Sequence, residues 1–589
     1  MNQLMEWMDA YDVICFDLFD TLLTRQIYDA EAVFDIVGER AMCQGIAIEN
    51  YREKRKTALI SNTVRNPTIY EIYKRFQEIT GITDRQRRIL LDLEIRTEKD
   101  VLVPRKTVVD CFSYAVSKGK RVFLVSDMYL PAAVIDDILK EKDIYGYEGL
   151  YISCDYRQLK YEGLFERVVR DVGHGRILHV GDHIEYDGYW SVRYGIDHYH
   201  VRDMMDMISH STWFFLANKA QDLSLNDQLI LGKVSAAVFQ DPFALPVGSV
   251  RPVLDSAYGI GYCLFAPVVT HFMIWMNEQL KDMDVDGILF GARDGYLFQK
   301  LYQTMKKMGI AARNVPDLYF LTSRVACISA CTSSEADIRK AVRGMPDADP
   351  IQVLRDIFNV PKERIPVYEE DRYQGWIQFL IGQQPLIHDC SVGFQQNYMT
   401  YMKRQGIRKE KKYAFFDLAS QGTCQHYLSA YFGLNLSGLY FWKRMIPTNL
   451  AFEEEKKGCY ETGVPEDDAR FIMAKYLYLE AILTDPNIPS LQCFTETGEP
   501  VYGKEKRTAD EINLIREVQK GIFDFFSAYS STMWMPHISM GKDTADLVFS
   551  LMEYARTCIN HPVWEQLHVI DDLKSGQRVP VDLDRKKET

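Results

Sequence analysis

Short runs of apolar residues, each ending in polar residues and followed by a helical pattern, recur along the first 200 residues. A short apolar run in which polar and apolar residues do not alternate is typical of a strand buried on both faces. Alternation of such strands with helices predicts a parallel, doubly wound α/β sheet. The predicted strands cover residues 13–16, 122–125, 150–153, 177–180 and 198–201.

A helical pattern of about 80 residues interrupts this alternation after Leu23. Thr68 and Glu71 have the spacing of a capping box that opens a helix, and Gly81 is placed to end it. We therefore expect residues 26–104 to form an all-helical insert that acts as a lid. Residues 1–25 and 105–203 would then form the α/β core.

The same strand and helix pattern returns in the second half of the chain. Predicted strands at residues 286–290, 318–321, 413–416 and 439–442 indicate a second, larger α/β domain over residues 254–574. Residues 204–253 are predicted to connect the two domains, and residues 575–589 to be a flexible tail.

Composition narrows the class of protein. The 589 residues are 47% hydrophobic and 26% charged, as in globular proteins. A net charge of −13 and a pI near 5.5 argue against nucleic-acid binding, which needs a basic surface. The 12 cysteines include no CxxC pair, and the start of the chain has no signal-peptide pattern. We therefore expect reduced thiols and a cytoplasmic location.

One uncharged stretch, residues 257–277, is long enough to span a bilayer. It contains Pro267, Thr270 and His271, and no basic cluster follows it. The stretch is therefore predicted to be a buried core helix, and no membrane span is expected.

Four groups of polar residues occur in order along the predicted core, three at the ends of predicted strands and one, Lys160, at the start of a predicted helix. They are Asp17 in FDLFDT, then Ser126, Lys160, and Asp182 and Asp187 in GDHIEYD. This pattern resembles the four motifs of the haloacid dehalogenase (HAD) superfamily, and the helical insert lies where that superfamily has its cap. The resemblance covers about residues 1–203. The segments FDLFDTLL and SDMYLP are similar to those of predicted hydrolases linked to bacterial surface-polysaccharide genes.

The resemblance implies a Mg²⁺-dependent phosphohydrolase in which Asp17 attacks phosphorus and forms an aspartyl-phosphate. It assigns Mg²⁺ to Asp17, the backbone carbonyl of Phe19 and Asp182. Asp187 would lie close to the metal or hold Lys160.

The resemblance also gives roles to two residues that would contact the phosphate. Ser126 would hydrogen-bond a phosphoryl oxygen. Lys160 would neutralise charge between Asp17 and the phosphate, because phosphoryl transfer depends mainly on electrostatic stabilisation.

The chain departs from the phosphatases of this superfamily at one position. They carry a second Asp two residues after the nucleophile, where this chain has Phe19 followed by Asp20. An aromatic residue there is similar to the dehalogenase branch, which works without metal, whereas Asp182 and Asp187 favour a metal. Three outcomes stay open: Asp20 or a cap residue supplies the proton, hydrolysis is slow, or the domain only binds phosphate.

Polar residues also follow the predicted strands of the second domain. Parallel strands would bring them to one edge, where arginines suit phosphate and a helix start offers free N–H groups. The pattern is compatible with a second site for a phosphorylated or nucleotide ligand, and equally with capping residues and surface ion pairs. The residues are Arg293, Asp294, Arg324, Asp417, Gly422 and Thr423.

Three functions follow from these patterns. The first is a phosphohydrolase acting on a small phosphorylated metabolite, such as a sugar phosphate. The second is a glycosyl- or nucleotide-sugar-linked transferase in the C-terminal domain, with an accessory HAD domain. The third is a non-catalytic module that binds phosphorylated ligands. The sequence leaves the oligomeric state open.

Overall fold

The chain forms two compact units in the computed structural model. The first contains residues 1–254 and 528–559, and the second contains residues 255–527 and 560–589. The residues described by the structure are 3–219, 223–245, 250–342, 345, 348–369, 373, 375–420, 422–444, 454–462, 478–532, 534, 544–562, 564, 567–571 and 577–580.

A five-stranded parallel sheet lies in the first unit. Its strands are β1 (Val13–Phe16), β2 (Arg121–Ser126), β3 (Gly149–Ile152), β4 (Ile177–Gly181) and β5 (Asp197–His200). They lie in the order β3-β2-β1-β4-β5, and β1 is buried along its whole length. Strand order therefore reverses between β1 and β4, because the chain proceeds from β1 toward β3 and then returns to β4.

Helices connect consecutive strands of this sheet. Pro131, a residue suited to a helix start, precedes the helix that follows β2. A short 3₁₀ turn, Lys160–Glu162, follows β3, and a π-helical turn, Ile184–Tyr189, follows β4. The α-helices of this part are Gln3–Met8, Lys106–Ser117, Ala132–Glu141, Ser153–Tyr156, Leu164–Val172 and Trp190–Arg193.

The insert after β1 is helical, as its pattern predicts. The short strands Leu23–Arg25 and Leu102–Pro104 pair antiparallel at its two ends. Thr68 and Glu71 form both hydrogen bonds of the capping box, and Gly81 ends that helix with φ of 70°. The four helices are Ala32–Cys43, Tyr51–Ile60, Ile69–Thr80 and Asp84–Val101.

The segment after β5 belongs to the first unit. Its helices are Met204–Ser209 and Leu225–Phe239, and the second is buried on nearly all sides. A later helix, Thr544–Arg556, completes the unit, with Tyr554 stacked on Phe215 at 3.9 Å between ring centres. The domain boundaries stated above stay a prediction.

A second five-stranded parallel sheet lies in the second unit. Its strands are β6 (Gly287–Gly291), β7 (Asp317–Phe320), β8 (Lys412–Ser420), β9 (Asn435–Arg444) and β10 (Lys456–Thr462). They lie in the order β10-β9-β8-β6-β7. The predicted α/β class, with a second and larger parallel-sheet domain, is confirmed.

The second unit also contains α-helices. They are Ala257–Ile260, Ala266–Asp282, Gly295–Met308, Arg324–Cys331, Glu335–Ala341, Pro350–Asp356, Trp376–Gly382, Gln384–Arg404, Thr423–Ala430 and most of the long helix Ala509–Thr532. Two small antiparallel pairs join Leu491–Phe494 to Pro500–Tyr502 and His568–Asp571 to Gln577–Pro580. Residues 577–580 of the predicted flexible tail are therefore a strand, and residues 575–576 and 581–589 lie outside the described residues.

Within the described residues, the helical stretch Ala257–Asp282 is long and apolar enough to cross a membrane. In the structure, 83% of its most apolar part is buried. A Cβ atom added to Gly261 would lie 2.0 Å from the carbonyl oxygen of Val518, so this helix packs closely on another element. Such burial is typical of a core helix.

Candidate active site

Asp17 lies at the carboxyl end of β1, beside the point where strand order reverses. Its backbone N–H donates to the carbonyl of Val180 on β4 at 2.9 Å, and the residue is 5% exposed. In open α/β sheets, ligands bind at the carboxyl ends of strands on either side of such a reversal. The topology therefore marks the crevice between Asp17 and the end of β4 as a binding site.

Lys160 reaches this crevice from the turn after β3. Its backbone N–H donates to the carboxylate of Asp127 at 2.9 Å, which fixes the turn. Its ammonium group donates to Asp17 at 2.7 Å and also to Asp187. Because Lys160 is 4% exposed, its charge is held among carboxylates rather than in water.

Three hydrogen-bond donors hold the carboxylate of Asp187, namely Lys160, His179 and the backbone N–H of His183. A glycine beside it leaves the room that it occupies. His179 contacts its carboxylate at 2.8 Å, and the backbone N–H of His183 donates to it at 3.1 Å. A Cβ atom on Gly181 would lie 2.4 Å from the Asp187 carboxyl carbon. Glycine at the end of β4 therefore leaves the space that this carboxylate fills.

Asp182, the residue after β4, is partly exposed and completes a group of three acids. Its carboxylate accepts a hydrogen bond from the hydroxyl of Thr21 at 3.0 Å, and its carbonyl accepts one from His200 at 2.8 Å. One oxygen from each of Asp17, Asp182 and Asp187 lies within 4.8 Å of the others. The spacing suits a single cation bound by more than one of them.

The charges of this group fit Mg²⁺. Three ionised carboxylates and one ammonium leave two negative charges, which a divalent cation balances, and carboxylate oxygen is the ligand type that Mg²⁺ prefers. Burial raises the pKa of Asp17, although Lys160 opposes the shift. Burial and the charges of Asp17 and Asp187 raise the pKa of Asp182. The protein alone thus opposes full ionisation of these acids, and a bound cation would favour it.

Asp187 differs from the other two acids. Burial would raise the pKa of Asp187, but Lys160 and His179 together hold it well below its usual range. Burial would lower the pKa of Lys160, but the charges of Asp17 and Asp187 raise it. Lys160 and Asp187 therefore form an ion pair, and this pair presents the ammonium group to Asp17.

The remaining predicted residues of this site lie close by. Ser126 is the last residue of β2 and is buried. Phe19 lies under the guanidinium of Arg25, which is 4.8 Å from the ring centre. Asp20 has a left-handed backbone with φ of 58°, and its carboxylate accepts a hydrogen bond from Thr24 at 3.2 Å. Burial raises the pKa of Asp20, which favours its proton-carrying form.

Two ion pairs fix the insert. Arg25 donates two hydrogen bonds to Glu98 at 3.1 and 3.2 Å. Arg55 and Glu94 have fully buried side chains and bond at 2.8 Å and at 2.6 Å. Because Arg25 also covers Phe19, the first of these pairs ties the insert to the loop that carries Asp17.

The residues of the predicted second site lie in the second unit. Arg293 and Asp294 follow β6, and Arg324 opens a helix after β7. The remaining three are Asp417, Gly422 and Thr423. Asp417 was predicted to follow a strand that ends at residue 416, but β8 continues to Ser420 and contains it.

Three residues of the first site were not predicted from the sequence. His179 lies inside the apolar run ILHVG, where a histidine is typical of a core position. Thr21 and Asp127 lie beside predicted site residues, but their bonds to Asp182 and to the Lys160 backbone join segments far apart in the chain. The sequence does contain one signal for His179, which is a polar residue within the last residues of a buried strand.

Comparison with known proteins places the likeness in the N-terminal third. No family model and no curated protein matches the chain. A HAD phosphatase from Thermococcus onnurineus is 15% identical, with 32% of this chain and 86% of that chain covered and a TM-score of 0.25. An L-2-haloacid dehalogenase is 12% identical, with 33% and 85% covered and a TM-score of 0.25.

A third similar structure contains ligands. It is a substituted form of a HAD family enzyme from Bacteroides thetaiotaomicron in complex with magnesium and inorganic phosphate. It is 16% identical, covers 33% of this chain and 94% of its own, and has a TM-score of 0.24. Each of these three matches therefore covers about a third of this chain and most of the matched chain.

Proposed function

We propose that the first unit is a Mg²⁺-dependent phosphohydrolase that acts through an aspartyl-phosphate on Asp17. The observation that carries the proposal is the buried ammonium of Lys160, which contacts both Asp17 and Asp187 beside Asp182. This arrangement combines a nucleophile, a fixed positive charge and cation ligands at the carboxyl edge of a parallel sheet.

The proposed reaction has two steps on Asp17. First, a carboxylate oxygen of Asp17 attacks phosphorus, and the ester bond to the leaving oxygen breaks. Lys160 offsets negative charge on the phosphoryl oxygens, and Ser126 donates a hydrogen bond to one of them. Second, water attacks the phosphorus of the aspartyl-phosphate, and inorganic phosphate and the free carboxylate are released.

Asp17, Asp182, Asp187 and the carbonyl of Phe19 are the proposed holders of Mg²⁺. When bound, Mg²⁺ would offset charge on the phosphate and orient it for in-line attack. His179 and the backbone of His183 keep Asp187 in place, so these residues position the site without contacting substrate.

Asp20 is the proposed general acid and base. It is the nearest carboxyl group to Asp17 along the chain, and its raised pKa suits a group that gives a proton to a leaving oxygen and later takes one from water. Phe19 occupies the position where similar phosphatases carry this acid. The proton would therefore come from one residue further along the loop.

The proposed substrate is a small phosphorylated metabolite, such as a sugar phosphate, in the cytoplasm. The helical insert supports a small substrate, because a lid over the sheet edge limits the size of what reaches Asp17. The sugar and the link to surface-polysaccharide synthesis rest on the resemblance of FDLFDTLL and SDMYLP to that group of hydrolases.

The test is phosphate release from a panel of sugar phosphates and nucleotides, with Mg²⁺ and with EDTA. We expect release in Mg²⁺ by the wild type, none by Asp17→Asn, and a loss of about 10²- to 10⁴-fold for Asp20→Asn. Asp92→Asn is the matched control, because Asp92 is an exposed acid on the helix Asp84–Val101.

Two results would overturn the proposal. Asp17→Asn with wild-type turnover would exclude the nucleophile. Phosphate binding without release from any member of the panel would favour a module that binds phosphorylated ligands and does not hydrolyse them.

A further inference from the structure

The second sheet has its own reversal of strand order. The chain goes from β6 outward to β7 and then returns to the other side of β6 to form β8, β9 and β10. Connections that leave β6 and β8 therefore diverge, and a crevice opens between their carboxyl ends. In the first sheet the same rule selects the crevice between β1 and β4, where Asp17 and Asp182 lie.

Charged residues lie where the pairing of β6 with β8 stops. The last pair between β6 and β8 joins Phe290 to Phe416, so Asp417 follows directly on the β8 side. Arg293 follows the end of β6 on the other side. A Cβ atom on Gly295 would lie 2.7 Å from Phe290, so the helix that starts there packs tightly on the strand end.

The turn that carries Arg293 is braced by its backbone. The N–H of Ala292 donates to the carbonyl of Phe320 at 2.9 Å, and the carbonyl of Arg293 accepts from the N–H of Asp485 at 3.1 Å. The Asp485 carboxylate is buried and accepts a hydrogen bond from Tyr319 at 2.8 Å. Strand β7 and a later loop therefore fix the turn, as a preformed binding site requires.

Arg324 follows β7 at the same carboxyl edge of the sheet and carries a second guanidinium group. It is exposed and opens the helix Arg324–Cys331, whose cap residue Ser323 accepts from the N–H of Ala326 at 2.9 Å. Burial raises the pKa of Asp417, while the N–H of Leu418 and the charge of Arg324 lower it. Arg324 follows β7, which is separated by β6 alone from β8, the strand that contains Asp417.

This combination of groups favours one class of ligand. Guanidinium groups bind phosphate through paired hydrogen bonds, and a carboxylate accepts hydrogen bonds from hydroxyl groups. Among the described residues, the one cluster of acids with metal-ligand spacing is that of Asp17, so a cation site is not indicated here. We propose that the crevice between β6 and β8 binds a phosphorylated sugar, with Arg293 and Arg324 on the phosphate and Asp417 on sugar hydroxyls. This proposal does not depend on hydrolysis at Asp17.

Calorimetric titration of the full chain carrying Asp17→Asn tests the proposal. The probes are glucose 1-phosphate, fructose 6-phosphate and UDP-glucose, each in EDTA so that Mg²⁺-dependent binding at the first site is suppressed. We expect at least one probe to bind, and Arg293→Ala or Arg324→Ala to weaken that binding by about 10- to 100-fold. Lys replacements should restore part of it, because they keep the charge but lose the paired geometry.

Controls separate this site from the first one and from general charge effects. Arg339→Ala, an exposed arginine of the same unit paired with Glu335, should leave binding unchanged. Asp417→Asn should weaken the sugar phosphates and UDP-glucose but not inorganic phosphate.

Four results would overturn the proposal, and the first three concern the probes above. They are the absence of EDTA-resistant binding for all three probes, binding that survives both arginine variants, and binding that Lys160→Ala abolishes. Binding of inorganic phosphate as tight as that of the sugar phosphates would exclude a sugar-specific site.

Discussion

Gly181 shows how one residue without a side chain shapes the first site. Asp187 occupies the space beside Gly181 that a Cβ atom would fill, and from there it binds Lys160. The position of the ammonium against Asp17 thus depends on the absence of one methyl group. Displacements of about 1 Å at such sites cost about 100-fold in rate.

We therefore expect Gly181→Ala to lower kcat by about 100-fold while the protein still folds. The measurement is phosphate release alongside circular dichroism. Gly393→Ala is the control, because no atom lies within 4 Å of its added Cβ and it lies inside the helix Gln384–Arg404. Equal activity of Gly181→Ala and wild type would show that Asp187 does not need its present position.

At the scale of elements, the start of the helix Ile69–Thr80 makes the insert sensitive to acid. Glu71 accepts hydrogen bonds from Arg157 at 2.8 and 2.9 Å and from the backbone of Thr68 at 2.8 Å. The hydrogen bonds from Arg157, together with the Thr68 cap, lower the pKa of Glu71 to about 2. The carboxylate therefore stabilises the fold above its ordinary pKa, and this contribution is lost as the pH falls toward 2.

We expect the destabilisation caused by Glu71→Gln to be largest above about pH 4.5 and to shrink between pH 4.5 and 2. Urea denaturation of variant and wild type across this range measures it. The capping box of Thr83 and Gln86 has the same geometry without a charge, so Gln86→Ala should destabilise equally at every pH. A Glu71→Gln effect independent of pH would contradict the assigned shift.

Most strands were predictable from the sequence, but their exact lengths and the contacts between distant parts of the chain were not. Asp17 and Asp182 could be identified because each follows a short buried run. Strand β10 was missed because KKGCYET has no apolar run. The burial of Arg55 against Glu94 was missed because charged residues on a helix usually face water, and the pairing joins residues from two helices.

At the scale of the whole molecule, cation binding should appear as stability as well as activity. Ligands that bind the folded state raise stability by about 2.7 kcal/mol at 100 times Kd, which corresponds to roughly 5–10 °C in melting temperature. We expect Mg²⁺ to raise the melting temperature of the wild type by this amount, measured by calorimetry, and that of Asp182→Asn by much less.

The same variant has a second expected effect in EDTA. Asp182→Asn removes one of three crowded carboxylates, so it should melt at or above the wild-type temperature there. Asp92→Asn should behave as wild type in both buffers. An equal Mg²⁺ shift in Asp182→Asn and wild type would place the bound cation elsewhere.

The discontinuous first unit has a consequence for synthesis of the chain. Residues 528–559 belong to that unit, and among them Tyr554 stacks on Phe215 and the carbonyl of Cys558 accepts from the N–H of Leu254. A ribosome makes the whole of residues 255–527 before it reaches them, which takes tens of seconds. During translation the nascent unit therefore exposes Phe215 and its neighbours, and this interval is when chaperones would have an apolar surface to bind.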